Sequence, residues 1–255
     1  MKSSMTSLEI LGSETLGKAI AQRLALREEA ANQVHVVDVI AKLPFLADLV
    51  LCGSAALHGC YLHGRRVQHL DFIARPEVAQ RLVQGLRVAG IQFKQTQAHH
   101  EYAVAVNRGA IAGMPVKFRT HPRFALEVEA ELLPFVQGKA QSAAIRIPRF
   151  PELVVAKLAS LCLRERPLDY FDIWIVSKHG PNAGPEVRRL LASRRETGSS
   201  HTPASLLSTA FLMKRFTQME PIWDESLAAL VSDPPSFSNV KDDLNQWLPI
   251  LDTHN

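Results

Sequence analysis

The pattern of apolar residues along this chain changes near residue 150. In the first half, short apolar runs such as 49–51 and 69–74 alternate with amphipathic stretches, a pattern typical of strands joined by helices. From residue 151 onward the spacing is helical throughout, and it predicts helices over 151–163, 168–178, 185–196, 203–219, 222–231 and 238–251. We therefore predict an α+β fold, a mixed sheet flanked by helices and followed by a C-terminal helical domain.

The first half is predicted to open with two amphipathic helices over 14–32 and 36–43. The run 49–51 reads as a strand that turns at Gly53 into a helix over 54–62, with Ser54 as its N-cap. Further strands are expected over 69–74, 91–96, 102–106, 114–120 and 124–132, with a helix from Pro76 to Gly90. The expected domains are residues 1–148, which form the α/β part with its two N-terminal helices, and residues 149–255, which form the helical part.

Composition fits an ordinary folded protein and excludes several classes. Hydrophobic residues make up 47% and charged residues 21% of 255, far from the composition of disordered chains. No run reaches the ~18 apolar residues that a membrane-spanning helix needs, and the first residues lack a signal-peptide core. The odd set of Cys52, Cys60 and Cys162, without a CxxC pair, indicates reduced thiols. We expect a cytoplasmic protein with no membrane partner.

Charge narrows the choice of partner only a little. The formal net charge is +4 and the pI about 9.1, which favours polyanions. However, 29 basic against 25 acidic residues is a mild excess for a dedicated nucleic-acid binder.

The turn after the first predicted strand offers groups that suit phosphate. Gly53 and Ser54 lie where a strand becomes a helix, so backbone N–H groups at the positive end of the helix dipole and the serine hydroxyl can face a triphosphate. An ordinary strand-to-helix turn explains the same two residues. On the next predicted strand His69 and Asp71 are two positions apart, which places both on one face as a pair of metal ligands.

Together these segments resemble the AbiEii/AbiGii-type family of bacterial nucleotidyltransferases, abortive-infection toxins with the minimal nucleotidyltransferase fold shared with DNA polymerase β. In that family a strand ends in Gly-Gly or Gly-Ser followed by Thr/Ser-Ala-Leu, and an Arg-x-Ser-x-Asp-x-Asp-Phe segment lies on the next strand. The matching residues here are Gly53, Ser54, Ala56, Leu57, Arg65, Asp71 and Phe72.

A second match lies in the helical half. Residues 152–161 and 164–174 resemble the family's helical signature, a Lys followed by Arg-x-Arg/Lys-x-x-Asp-x-x-Asp, and the resemblance spans about residues 33–178. It implies that Lys157 contacts a nucleotide phosphate and that Asp169 and Asp172 orient Lys157 or Arg164. Taken alone, Lys157 beside an apolar stripe also fits a solvated lysine, and Asp169 also fits a helix cap.

The resemblance implies a set of roles. Asp71, Lys157 and Asp169 would be catalytic, and Asp71 with His69 would bind Mg²⁺ or Mn²⁺. Nucleotide binding would fall to Gly53, Ser54, Arg65, Arg66, Lys157 and Asp172.

The chain departs from the family at its expected metal site. His69 stands at the first strand carboxylate, Val67 at the serine, and Phe118 or Arg119 near the carboxylate expected on a later strand. An imidazole is a poor Mg²⁺ ligand and an arginine repels the ion, so Asp71 alone remains of the carboxylate set, unless Glu127 or Glu129 replaces the missing ligand. A His/Asp pair suits Mn²⁺ better than Mg²⁺.

Two functions follow from the resemblance. The first is a toxin that transfers a nucleoside monophosphate from a nucleoside triphosphate to RNA, especially tRNA, or to a protein, with an antitoxin protein as its partner. The second is a catalytically degenerate relative that binds nucleotide, RNA or a protein and regulates it. A third reading is an α/β interaction domain with no nucleotide site.

Overall fold

The computed structural model divides the chain into two compact units. The first consists of Met1–Leu51 and Gln68–Ile147, and the second of Cys52–Val67 and Pro148–Asn255. Residues 52–67, which hold Gly53 and Ser54, therefore group with the helices after Pro148. The structure describes residues 48–62, 64–65, 70–74, 76–88, 94–95, 101–104, 116–120, 130–137, 141–179, 184–196 and 208–251.

The described strands of the first unit form one mixed sheet. They are β1 (Val50–Cys52), β2 (Leu70–Ala74), β3 (Lys94–Gln95), β4 (Glu101–Val104), β5 (Val116–Thr120), β6 (Ala130–Gln137) and β7 (Gln141–Pro148). Their order across the sheet is β3-β4-β5-β2-β1-β7-β6. The pairs β1/β7 and β2/β5 are parallel, while β3/β4 and β4/β5 are antiparallel.

Local sequence explains the central strands and their helix. The run from Leu49 to Cys52 is apolar and buried, as a strand covered on both faces requires. Helix α1 (Pro76–Val88) begins at Pro76, whose fixed φ suits the first helical position. Val78 and Leu82, four positions apart, are buried, and the helix packs against β5.

The second unit is helical. A short helix α2 (Gly53–Ala56) continues into a π-helical turn (Leu57–Leu62). The remaining helices are α3 (Phe150–Leu163), α4 (Pro167–His179), α5 (Gly184–Glu196), α6 (Thr209–Thr217), α7 (Trp223–Ala228) and α8 (Phe237–Leu251), with a 3₁₀ turn (Glu220–Ile222) before α7.

An aromatic cluster forms much of this unit's core. The Phe216 ring is fully buried and lies 4.7 Å from the Tyr170 ring, 5.3 Å from the Trp223 ring and 4.6 Å from the Phe237 ring, measured between centroids. The cluster joins α4, α6, α7 and α8. Ser208 caps α6 by accepting a hydrogen bond from the backbone N–H of Phe211 at 3.2 Å.

The predicted fold class is confirmed, and so are the helices after residue 150 within the described ranges. The two predicted N-terminal helices lie outside the described residues, as does most of the expected strand 124–132, Glu127 and Glu129 included. Strand β7 was not predicted. In the part of the chain that the structure describes, no helix is both long and apolar enough to span a bilayer.

Candidate functional site

The turn after β1 places Ser54 inside a helix rather than at its cap. Gly53 has a φ of 64°, a left-handed conformation that glycine adopts without a Cβ clash, and this bends the chain directly from strand to helix. Cys52, not Ser54, occupies the N-cap position, so the predicted capping role of Ser54 is wrong. Its hydroxyl is instead directed to other side chains of the second unit.

Lys157 is buried, which excludes the solvated-lysine interpretation. It lies in the middle of α3, with a side chain that is 5% exposed. Its Nζ atom is 3.0 Å from Oδ1 of Asp169 and 2.5 Å from Oδ2 of Asp172, both on α4. Because the two aspartates are three residues apart, one turn of α4 presents both carboxylates to the ammonium group.

Asp172 is the centre of the hydrogen-bond network and is completely buried. Its Oδ1 atom accepts from Nε2 of His58 at 2.7 Å and from Nε of Arg65 at 2.6 Å. Its Oδ2 atom accepts from Nη2 of Arg65 at 3.0 Å and from the Ser54 hydroxyl at 3.2 Å, in addition to its ion pair with Lys157. Arg65 thus binds the carboxylate through two donors, the strongest geometry for such a pair.

Ser54 links the two cations. Its Oγ atom accepts from Nζ of Lys157 at 2.9 Å and from Nη2 of Arg65 at 2.7 Å. A hydroxyl from α2, an ammonium from α3 and a guanidinium from the bend at residue 65 therefore meet at one oxygen atom.

Asp169 extends the network to Arg164, which directly follows the last residue of α3. Its two oxygens accept from Nε and Nη2 of Arg164 at 2.7 Å and 3.0 Å, while Oδ1 also accepts from Lys157. The Arg164 side chain is 36% exposed, so it is the most accessible cation of the network. We name the seven side chains the polar cluster: Ser54, His58, Arg65, Lys157, Arg164, Asp169 and Asp172.

Burial and charge determine the protonation states at the centre of the cluster. Burial by itself would raise the pKa of Asp172, but the charges of Arg65 and Lys157 and the hydrogen bond from His58 outweigh it and hold that pKa well below 3.8. Burial lowers the pKa of His58 below 6.5, against the opposing effect of Asp172. At neutral pH the cluster therefore holds a carboxylate and a neutral imidazole side by side.

The polar cluster carries one net positive charge. Counted by formal charge, the three basic side chains of Arg65, Lys157 and Arg164 stand against the two carboxylates of Asp169 and Asp172, and His58 is neutral, which leaves +1. Such a fixed set of N–H donors with an excess of positive charge suits a phosphate group.

Asp71 belongs to the first unit. It lies on β2 and is 8% exposed, and the parallel register of β5 places Lys117 opposite Asp71 and Arg119 opposite Ile73. Strand β5 contains no carboxylate. The other predicted ligand, His69, and the predicted nucleotide contact Arg66 lie outside the described residues.

Among the residues that the structure describes, the predicted metal ligands suit one metal ion better than two. Across the described ranges no three His, Cys, Asp or Glu side chains are grouped as metal ligands. A single carboxylate such as Asp71 fits a Mg²⁺ or Mn²⁺ ion that takes its other ligands from triphosphate oxygens and water. It does not fit a pair of ions held by a full carboxylate set.

Sequence reasoning named five of the seven cluster residues as site residues and Arg164 as a partner of the aspartates, but it missed His58. The available signal was spacing, since His58 follows Ser54 by four positions on a predicted helix and so lies on the same face.

Two solved structures share the fold of this chain. The nucleotidyltransferase toxin MenT4 from Mycobacterium tuberculosis H37Rv aligns over 94% of this chain and 90% of its own, with 17% identity and a TM-score of 0.58. A protein from H. pylori with a provisional assignment as a nucleotidyltransferase aligns over 89% of this chain and 96% of its own, with 18% identity and a TM-score of 0.53. At these identities the likeness establishes the fold, which is that of the nucleotidyltransferases.

The family follows from a sequence model. The model of the nucleotidyl transferase AbiEii toxins of type IV toxin–antitoxin systems matches residues 38–248. This chain therefore belongs to the AbiEii nucleotidyltransferase toxin family, as its motifs predict. No curated protein matches the chain.

Proposed function

We propose that this protein transfers a nucleoside monophosphate from a nucleoside triphosphate to RNA, with the end of a tRNA as the favoured acceptor, and that it acts as the toxin of a toxin–antitoxin pair. The observation that carries the proposal is the convergence of Lys157 and Arg65 on the Ser54 hydroxyl, at 2.9 Å and 2.7 Å. A hydroxyl and two cations at one point are the groups that hold a triphosphate during phosphoryl transfer.

In this reaction an acceptor oxygen forms a bond to the α-phosphorus as the bond from that phosphorus to the bridging oxygen breaks. Pyrophosphate leaves with the electron pair, and the acceptor hydroxyl loses its proton to water. Lys157 and Arg65 bind and orient the phosphates and offset the charge that develops on the leaving group. Asp172 and Asp169 hold the two cations in place before the substrate arrives, as their ion pairs support.

Asp71, with His69, would hold a Mg²⁺ or Mn²⁺ ion, which when bound would supply positive charge to offset that of the phosphates. The remaining contacts of the proposed site would come from the backbone of Gly53, next to Ser54, and from Arg66.

Label transfer tests the proposal directly. The protein is incubated with each α-³²P-labelled ribonucleoside triphosphate, with Mg²⁺ or Mn²⁺, and with total RNA or total protein as acceptor. We expect labelled RNA, lost in Asp71→Asn and Lys157→Met. Lys178→Met is the matched control, because Lys178 is 42% exposed and pairs with Asp243 outside the cluster. Label on protein instead of RNA would change the acceptor, and no label with any triphosphate or metal would refute transfer.

A second candidate is a degenerate nucleotidyltransferase that binds nucleotide without transferring it. It is favoured by the single carboxylate among the predicted metal ligands in the described ranges, since β5 has Lys117 at the register position opposite Asp71 and contains no carboxylate. Calorimetric titration with the same triphosphates separates the two candidates. Binding without label transfer supports the degenerate module, whereas the absence of both would leave neither candidate standing.

A further inference from the structure

His58 contributes to the polar cluster from a completely buried position. It lies on the π-helical turn after α2, and its side chain is 0% exposed. Its Nε2 atom lies 2.7 Å from Oδ1 of Asp172, a residue 114 positions away in the sequence. The same ten-residue stretch, 53–62, therefore supplies Ser54 to one oxygen of Asp172 and His58 to the other.

The two oxygens of Asp172 accept hydrogen bonds from different groups. Oδ2 faces Lys157, Ser54 and Nη2 of Arg65, which are the groups of the proposed phosphate site. Oδ1 faces His58 and Nε of Arg65. A carboxylate rotates about its last side-chain bond, so the donors on Oδ1, which are His58 and Arg65, help to determine where Oδ2 points. His58 is the uncharged donor to Oδ1, as Ser54 is to Oδ2.

Chemistry also identifies the form of the imidazole. Because Asp172 is an acceptor, the nitrogen that faces it, Nε2, carries the hydrogen. The other nitrogen, Nδ1, is buried and has no hydrogen-bond partner among the described residues, so a second proton there would have no acceptor. The charged groups that face His58 are Asp172 on α4, Arg65 after the π-helical turn and Lys157 on α3, and burial next to the two cations lowers the pKa of the imidazole.

We propose that His58 is a positioning residue for nucleotide binding: its Nε2–H fixes the carboxylate of Asp172, which in turn holds Lys157 and Arg65 where the triphosphate binds. This inference rests on the proposed function, and it assigns His58 no contact with the substrate. A role in packing alone would make an apolar side chain of the same size an equal substitute, because such a side chain fills the space and leaves no buried Nδ1 unsatisfied.

Two substitutions separate positioning from packing. His58→Leu keeps an apolar side chain of similar size but removes the donor, and His58→Gln places an amide N–H as far from the backbone as Nε2. Tyr170→Phe is the matched control: the Tyr170 hydroxyl is buried on α4 and donates to the carbonyl oxygen of Leu212 at 3.0 Å, so its loss removes a buried hydrogen bond away from Asp172.

The experiment is calorimetric titration of each full-length variant with ATP, GTP, CTP and UTP in the presence of Mg²⁺. We expect His58→Leu to raise the Kd of the bound triphosphate about tenfold, the effect of one lost hydrogen bond to a charged group. We expect His58→Gln and Tyr170→Phe to bind like the wild type. Wild-type affinity in His58→Leu, or a failure of His58→Gln to restore affinity, would overturn the positioning role while leaving the proposed function intact.

Absence of binding by the wild type would instead refute the proposed function, and this inference with it. Should His58→Leu not fold, His58→Asn replaces it, because its amide is one bond too short to reach Asp172. The wild type also offers a test that needs no variant: ¹⁵N–¹H correlation spectra at pH 7 are expected to show the Nε2–H tautomer of His58. The Nδ1–H tautomer or a charged imidazolium would contradict the proposed geometry.

Discussion

Neutralising Asp172 is the sharpest test of the polar cluster as a folded-state feature. In Asp172→Asn an amide replaces a fully buried carboxylate, and its NH₂ group then faces the donors of Arg65 and Lys157. Lys157 keeps Asp169 at 3.0 Å, but Arg65, only 4% exposed, loses the carboxylate that both of its donors bind. Removing one member of a buried ion pair lowers the free energy of unfolding by ~3–5 kcal/mol. Because Lys157 still has Asp169 as a partner, we expect a loss at the lower end of this range, ~3 kcal/mol.

The measurement is urea unfolding at pH 7, followed by tryptophan fluorescence. All three tryptophans, at positions 174, 223 and 247, belong to the second unit, so their emission reports on the unit that holds the cluster. Glu165→Gln is the control, because its ion pair with Arg215 has a carboxylate that is 47% exposed, and exposed pairs contribute at most ~1 kcal/mol. If Asp172→Asn loses no more stability than Glu165→Gln, the cluster does not stabilise the unit and our electrostatic reasoning fails.

Three further predictions concern stability. Burial holds the pKa of His58 below 6.5 in the folded state, so the unfolded chain binds a proton more readily than the folded one. The free energy of unfolding of the wild type should therefore decline as the pH falls below about 6.5. His58→Gln should show a smaller decline between pH 7 and pH 5.5 in urea unfolding. Phe216→Ala removes a fully buried ring from the aromatic cluster and should lower the free energy of unfolding by ~3–5 kcal/mol with an unchanged m-value. A loss no larger than that of a substitution at an exposed position would contradict the packing described. Arg164→Met leaves Asp169 paired with Lys157 and should cost about 1 kcal/mol, less than Asp172→Asn under the same conditions, and the reverse order would contradict the ranking by burial.

The helices of the second unit were predictable because each one has its own local signal. Apolar residues repeat at helical spacing from 151 onward, and Pro167 and Ser208 mark where two of the helices begin. Strand β7 escaped prediction because its first half, Gln-Ser-Ala-Ala, has little of the bulk that typifies strands. The preceding strand, β6, contains Pro134, and a proline inside an apolar run argues against a strand in the sequence.

Individual site residues were predictable, but their partners were not. Motif resemblance pointed to Ser54, Lys157 and Asp172, each within a short local pattern. The contacts that join Ser54 to Lys157 and to Asp172 span 103 and 118 residues, and no periodicity encodes such a distance. The four-residue spacing from Ser54 places His58 on the same helix face, but this spacing does not distinguish a positioning role from packing.

The charge of the polar cluster constrains how a triphosphate can bind to it. Asp172 holds its negative charge far below neutral pH, so an incoming phosphate cannot displace the carboxylate by protonating it. Lys157 already directs its ammonium group to Ser54, Asp169 and Asp172, so a phosphate must replace one of these contacts, and it meets a net formal charge of only +1. A triphosphate carries several negative charges, so the additional cation has to come from outside the cluster. In the proposed function a divalent ion supplies that charge, because the neutral imidazole of His58 does not. Tight binding without any divalent ion would contradict this division of charge.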